Sequence, residues 1–304
     1  MEDKLKTRIF FKDENFTPNF SSVENLLEKD NLTYPIIHKE KNSTGSKGVR
    51  RIDSPVELSN LDSMDSFVEE FINGEQYLVE LLVIDKSPHV IAKIKQDVFK
   101  SEYDTYIING YSLDKDSKMN SSEKHMIDTI VSKLDIRNAH IHIEYRIKDN
   151  EAKLIEINPR ISGSGMYALL ETALEKNYVT ELLKFYLGHK IEVPKIKHSC
   201  FSRYFISDRN GVLSKVTGTA AALGTEGAKK VYIKPKQGQN IRCSESMGDR
   251  YGYVIGTGET PQEAKVKTME AAKKVKFHVI KKRNLELILF IILVIIISAQ
   301  FNNM

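Results

Sequence analysis

The sequence predicts an α/β fold of the α+β kind, in which strand hairpins alternate with amphipathic helices. Three observations carry that reading. Apolar and polar residues alternate through 140–147 (HIHIEYRI) and again through 153–158 (KLIEIN), the period of a strand with two unlike faces. The two runs flank Lys148-Asp149-Asn150-Glu151, a turn that makes them a hairpin. Residues 121–135 instead place Met126, Ile127, Ile130, Val131 and Leu134 on one side of a helix.

The elements can be taken in chain order. Asp3-Lys4-Leu5 opens the first core helix. Residues 34–39 (YPIIHK) form a short apolar strand ending in Lys39, followed by Glu40 and the polar loop 41–48 (KNSTGSKG). Small residues and glycines let backbone N–H groups approach phosphate oxygens, and lysines add charge. The loop fits neither a P-loop nor a dinucleotide fingerprint, and taken alone it reads first as a flexible connection. Residues 67–84 (FVEEFINGEQYLVELLVI) are two apolar runs about Asn73-Gly74, which predicts a second hairpin. A strand over 89–96 puts Lys93 and Lys95 on one face. The helix over 121–135 and the hairpin of 140–158 follow, and 166–187 reads as two helical segments closed by Gly188. Beyond Pro194, strands near 200–206 and 231–233 alternate with turns. Thr260-Pro261-Gln262-Glu263 is an N-cap, a first-turn proline and a capping-box acid, opening a helix to about Lys276.

Candidate chemistry concentrates in the hairpin of 140–158. A two-residue loop at Asp149-Asn150 would set Glu144 opposite Ile155, whereas a three-residue loop sets Glu144 opposite Glu156 and His142 opposite Asn158. The second register gathers the polar groups on one face and is the one expected. Two facing carboxylates repel unless a cation or a proton lies between them. Glu144, Glu156 and Asn158 would then be hard-oxygen donors for Mg²⁺ carrying phosphate, next to Arg160. Simple pairing of the acids with Arg146, Lys153 or Arg160 satisfies the same residues. His142 either assists this site or packs as a hydrogen-bonded core histidine.

In this order, HIEYRIKDNEAKLIEINPRISGSG, VEEFINGEQ and the lysine strand with its Gly/Ser loop resemble the ATP-grasp superfamily, specifically its carboxylate–amine ligases. The resemblance extends over roughly 150 residues. It implies two α+β subdomains gripping ATP, with Mg²⁺, or Mn²⁺ in its place, as cofactor. Residue by residue, it implies that Lys39 touches the α-phosphate and that Ser43, Gly45, Ser46, Lys47 and Gly48 close over the triphosphate. It makes Glu69, Glu70, Phe71 and Ile72 the stretch that reads adenine. Glu144, Glu156 and Asn158 become the metal ligands, and Arg160 faces the transferred phosphoryl group. The chain departs from the family at Gln76, where an acid usually binds the ribose, and at Glu40, where proline usually follows the lysine. Residues 199–279 resemble, more loosely, the C-terminal lobe of amino-acid ligases. The implied reaction activates a small carboxylate, an amino acid in the first instance, as an acyl phosphate for attack by an amine. Relatives carry a further domain ahead of this core. A shortened enzyme, a gene fragment, or one half of a split enzyme whose partner chain supplies that domain are the alternatives, the last including a subunit that binds nucleotide without independent catalysis.

The expected organisation is an ATP-grasp core over 1–190 (about 1–68 and 69–190), a C-terminal lobe over 195–282, and an apolar tail over 285–301. With 45 basic residues spread among 41 acidic ones, net +4, no basic stripe favours nucleic acid. Cys200 and Cys243 lack metal or redox spacing and suit a reducing, cytoplasmic setting. The charged start does not resemble a signal peptide. Leu287 to Ala299 (LILFIILVIIISA) follows Lys281-Lys282-Arg283 and is short of the ~20 residues of a bilayer span. It reads as a short membrane anchor, as a buried or self-associating segment, or as an aberrant reading-frame tail. A structural, membrane-associated relic of the fold would bind no nucleotide.

Overall fold

The computed structural model describes residues 3–23, 25, 33–42, 48–59, 65–100, 106–163 and 165–281. The first lobe comprises α1 (Lys4–Phe10), β1 (Phe20–Ser22), β2 (Ile36–Glu40), β3 (Arg50–Ile52), α2 (Pro55–Ser59) and β4 (Ser66–Glu70). Its four strands form an antiparallel sheet in the order β1-β4-β2-β3, around Val23, Ile36, Ile52, Leu58 and Val68.

The chain then builds β5 (Glu75–Ile84), β6 (Ser87–Lys100), β7 (Tyr106–Leu113), α3 (Ser121–Lys133), β8 (Ala139–Lys148), β9 (Glu151–Asn158), α4 (Met166–Leu174) and α5 (Tyr178–Tyr186). It closes with β10 (Ser199–Tyr204), β11 (Gly211–Thr217), α6 (Thr219–Leu223), β12 (Ala228–Ile233), β13 (Asn240–Ile241), β14 (Gly252–Gly258), α7 (Pro261–Lys274) and β15 (Lys276–Ile280). One eight-stranded antiparallel sheet, β12-β14-β10-β7-β6-β5-β8-β9, runs through both stretches, because β10 pairs with β7 across the 195 boundary. A three-stranded sheet, β13-β11-β15, stands beside it.

Each face of the large sheet carries its own core. α3, capped by Asn120 and Glu123, lays Met126, Ile127, Ile130 and Val131 on Val79, Leu81, Ile143 and Tyr145. Glu123 is buried under that helix, where Tyr145 Oη (2.6 Å) and Lys93 Nζ (2.7 Å) satisfy it, so Lys93 serves this face. α4 and α5 cover Leu78, Leu82, Ile94 and Tyr111 on the other face.

Two expectations need correction. Asn73-Gly74 does not turn a hairpin: β4 ends in the small sheet and β5 begins in the large one, so this turn is the passage between lobes. The hairpin of β8 and β9 does bring Glu144 opposite Glu156 and His142 opposite Asn158, but not through a three-residue loop. Asp149 and Asn150, both left-handed (φ 51° and 63°), make a two-residue turn, and a β-bulge at Ile155 supplies the missing residue. The tail over 285–301 lies outside the described residues, as do Ser43, Gly45, Ser46 and Lys47. Among the described residues no helix is long and apolar enough to cross a membrane.

Gly74 tests the passage between lobes. A Cβ there would lie 2.1 Å from the carbonyl oxygen of Ile147, a backbone atom with little freedom to retreat. Gly74→Ala is therefore expected to lower unfolding free energy by about 1–3 kcal/mol, read from urea midpoints.

Candidate active site

The two lobes face each other across a cleft of about 1000 Å³ that includes its open mouth. One wall brings Lys39 from β2 and Glu69 from β4, followed by Glu70, Phe71 and Ile72. The other brings Gln76, Glu144, Arg146 and Glu156 from β5, β8 and β9.

The first wall is built on a buried charge group. Arg8 (1% exposed) reaches up from α1 and donates through Nε to Glu69 Oε2 (2.8 Å), while Lys39 Nζ pairs with the other oxygen of the same carboxylate. Arg8 Nη2 also donates to the Ile155 carbonyl (2.9 Å), the residue at the bulge of β9. Burial pushes the Glu69 carboxyl up, but Arg8 and Lys39 outweigh it and hold it below the usual carboxylate range. Burial, with Arg8 alongside, lowers the Lys39 ammonium against the pull of Glu69. Two cations thus share one anion in a dry wall, and Arg8 Nη1 is buried with no acceptor among the described residues. The surplus positive charge suits an anion entering the cleft.

The second wall carries the opposite imbalance. Glu144 and Glu156 face each other across β8 and β9. Burial first, then the Glu156 charge, pushes the Glu144 carboxyl up to about 7. One step along the ladder, the Nδ2 amide of Asn158 donates to His142 Nε2 (3.1 Å). His142 Nδ1 lies 2.8 Å from the Arg160 carbonyl, which can only accept, so Nδ1 carries the proton and Nε2 accepts. Burial lowers the His142 pKa and favours this neutral ring. The ring therefore turns Nδ2 of Asn158 inward and leaves Oδ1 for another partner. Two carboxylates and an amide oxygen fit a hard divalent cation that brings phosphate oxygens with it. Among the described residues no three His, Cys, Asp or Glu side chains form a metal cluster.

The remaining expected residues fall as follows. Gln76 lines the cleft, where Nε2 donates to Gln96 Oε1 (2.6 Å) and Oε1 accepts from Arg146 Nη2 (3.0 Å) and Nε (3.2 Å). Arg146 also donates to the Ile72 carbonyl (2.9 Å) and lies over the Phe71 ring at 5.6 Å. Glu70 accepts from Asn19 (3.3 Å). Gly48 (φ +67°) packs so tightly on Glu40 that an added Cβ would meet its carboxyl at 2.4 Å. Arg160 is exposed just past Asn158, its guanidinium donating to the Ile161 carbonyl (3.1 Å). Behind its loop, Ser162 Oγ donates to the buried Glu80, whose other oxygen lies 2.9 Å from His140 Nε2. Sequence reasoning missed Arg8, and named Arg146 only as a partner for the acids, whereas it holds Gln76 and the Ile72 carbonyl. No sequence signal marked Arg8, because α1 buries Lys4, Thr7 and Arg8 while Ile9 and Phe10 stand 53% and 48% exposed.

This chain belongs to the ATP-grasp superfamily: the model described as ATP-grasp domain matches residues 1–164, more than half of it. A second model, L-amino acid ligase C-terminal domain 2, matches residues 203–279. In sequence it is similar to the uncharacterized protein y4rH of Sinorhizobium fredii, 22% identical over 268 residues, covering 81% of this chain and 53% of that protein. The chain thus spans about half of that relative's length. It is also similar to formate-dependent phosphoribosylglycinamide formyltransferase of Prochlorococcus marinus, 24% identical over 275 residues, covering 86% and 67%. In fold it resembles the L-amino acid ligase of Bacillus licheniformis (TM-score 0.77, 20% identity, 92% of this chain and 72% of that one). It resembles too the biotin carboxylase domain of Hydrogenobacter thermophilus 2-oxoglutarate carboxylase, solved with ADP, magnesium and bicarbonate (TM-score 0.68, 13% identity, 92% and 67%).

Two outcomes follow from the second wall. The folded chain keeps the Glu144 proton between an ordinary value of 4.5 and about 7, where the unfolded chain has released it. Metal-free protein should therefore lose stability as pH rises through that window, by at most about 1.4 kcal/mol per unit, and Glu144→Gln should show a shallower slope in urea melts. His142→Leu should weaken Mg²⁺ binding to the nucleotide complex about 10–100-fold by calorimetry, with metal-free ATP binding retained.

Proposed function

We propose that this protein is an ATP- and Mg²⁺-dependent ligase that joins a small carboxylate of the amino-acid class to an amine. One observation carries the reading. The cleft sets a wall with a surplus buried cation against a wall with two facing carboxylates, and the ligand that neutralises both is a polyphosphate carrying a divalent cation. Membership of the ATP-grasp superfamily and the L-amino acid ligase C-terminal match support the same choice.

In this reading Lys39, steadied by Glu69 and Arg8, holds phosphate oxygens from the small lobe. Glu144, Glu156 and Asn158 hold Mg²⁺, or Mn²⁺, which supplies neutralisation of phosphate charge. Phe71 and Ile72 flank the base, and Gln76, fixed by Arg146 and Gln96, meets the ribose as a neutral partner. A carboxylate oxygen of the substrate attacks the γ-phosphorus, the bond to the bridging oxygen breaks, and ADP departs. The amine nitrogen then attacks the acyl carbon, phosphate leaves, and the nitrogen sheds its proton to give the amide. Arg160 stands at the mouth to balance charge on the transferred group. The protein positions and neutralises rather than forming covalent bonds.

Phosphate release from the full chain with ATP, Mg²⁺ and pooled amino acids tests the proposal. Release that requires an amino acid and falls at least about 100-fold in Glu156→Gln is expected. ATP binding without release from any pool would overturn it.

A further inference from the structure

We propose that a second cavity beside the nucleotide cleft seats the amine substrate and selects one with an aromatic side chain and a free carboxylate. The proposal rests on the ligase reading above and names the substrate class for that site.

The cavity has an empty volume of about 640 Å³ and lies where the loop after Arg160 meets the C-terminal stretch. A single layer of residues divides it from the nucleotide cleft. Ile108 lines the cleft, its carbonyl accepts from Arg250 Nη1 (3.1 Å), and its N–H donates to Met247 Sδ (3.3 Å); Arg250 and Met247 line the cavity. Gly165 ties the cavity to the loop that carries Arg160. A Cβ at Gly165 would come within 2.6 Å of the Tyr253 ring, so the loop's last turn lies directly against that ring. The cavity thus borders both the cleft at Ile108 and the end of the loop that begins at Arg160, the side from which the amine reaches the acyl phosphate in this proposal.

Its lining specifies the chemistry. Tyr253 packs against Tyr204 (centroids 5.7 Å apart) and Tyr232 (5.2 Å), forming a floor of rings. Tyr232 and Tyr167 remain 47% and 42% exposed, so aromatic surface is presented rather than spent in the core. Among the described residues, the charged groups in the lining are Lys234 and Arg250, and none of the lining residues is an acid. Arg250 is committed to the wall and to the Tyr204 face (4.1 Å). Lys234 donates to the Gly248 carbonyl (2.9 Å), which leaves two of its three N–H donors for a carboxylate. Tyrosine faces select a flat apolar group, and an unopposed ammonium selects an anion. An aromatic amino acid supplies both and brings the amine that the reaction consumes.

Calorimetry of the full chain, with Mg²⁺ and a non-hydrolysable ATP analogue, tests the assignment with L-phenylalanine, L-leucine and 2-phenylethylamine as probes. L-Phenylalanine should bind at least about fivefold more tightly than either of the others. Tyr232→Ala should remove its advantage over L-leucine, and Lys234→Met its advantage over 2-phenylethylamine, with analogue affinity unchanged in both. Equal affinity for the three probes, or unchanged L-phenylalanine binding in both variants, would overturn the proposal. Failure of the ligase reading is separable: it appears as absent amino-acid-dependent phosphate release, whereas the probe titration reads the cavity with or without bound analogue.

Discussion

The arrangement of the cleft depends on one shared carboxylate. Glu69 holds Arg8 and Lys39 at once, and each partner comes from a different element: α1, β4 and β2 converge on two oxygens. Removing that acid would leave two buried cations without an anion, a change of the kind that costs about 3–5 kcal/mol. The group is strained by composition rather than geometry, since one negative charge answers two positive ones. That imbalance makes the wall receptive to phosphate. It also makes Glu69 a support for Lys39, in addition to its place in the lining of the cleft.

The same group connects to the wall of Glu144 and Glu156 through a fault in a strand. A regular β9 with a two-residue turn would place Ile155 opposite Glu144 and turn the acids to opposite faces. The bulge restores the face and at the same time gives Arg8 a backbone carbonyl on the sheet's edge strand. One inserted residue thus aligns Glu156 with Glu144 and fastens the two lobes to each other. The edge is further covered by the N-terminal segment, where the Leu154 N–H donates to the Phe16 carbonyl (2.8 Å).

Local signals made much of this legible. Alternation in 140–158 was enough to choose the correct pairing at the acids, because face preference is set by the side chains themselves. The way that pairing is achieved was hidden, since a longer turn and a bulge produce the same register downstream. Asn73-Gly74 gave a true turn signal but could not say which sheet its second run would join; strand partners are chosen non-locally. Arg8 was hidden for a related reason: a helix that buries its charges and exposes Ile9 and Phe10 defeats the usual reading of amphipathicity. The tyrosine cavity collects Tyr167, Tyr204, Tyr232 and Tyr253 from four separate elements or turns, so no window of sequence contains it.

The pairing of β10 with β7 has a mechanical consequence. Because backbone hydrogen bonds run unbroken from β9 to β12, Glu144, Glu156 and the cavity tyrosines Tyr204, Tyr232 and Tyr253 stand on one continuous sheet. The four-stranded sheet is joined to it through Asn73-Gly74 and held against it by the Arg8–Ile155 contact. A displacement of the small sheet would therefore move Lys39 and Glu69 while the spacing between the carboxylates and the tyrosines stayed fixed.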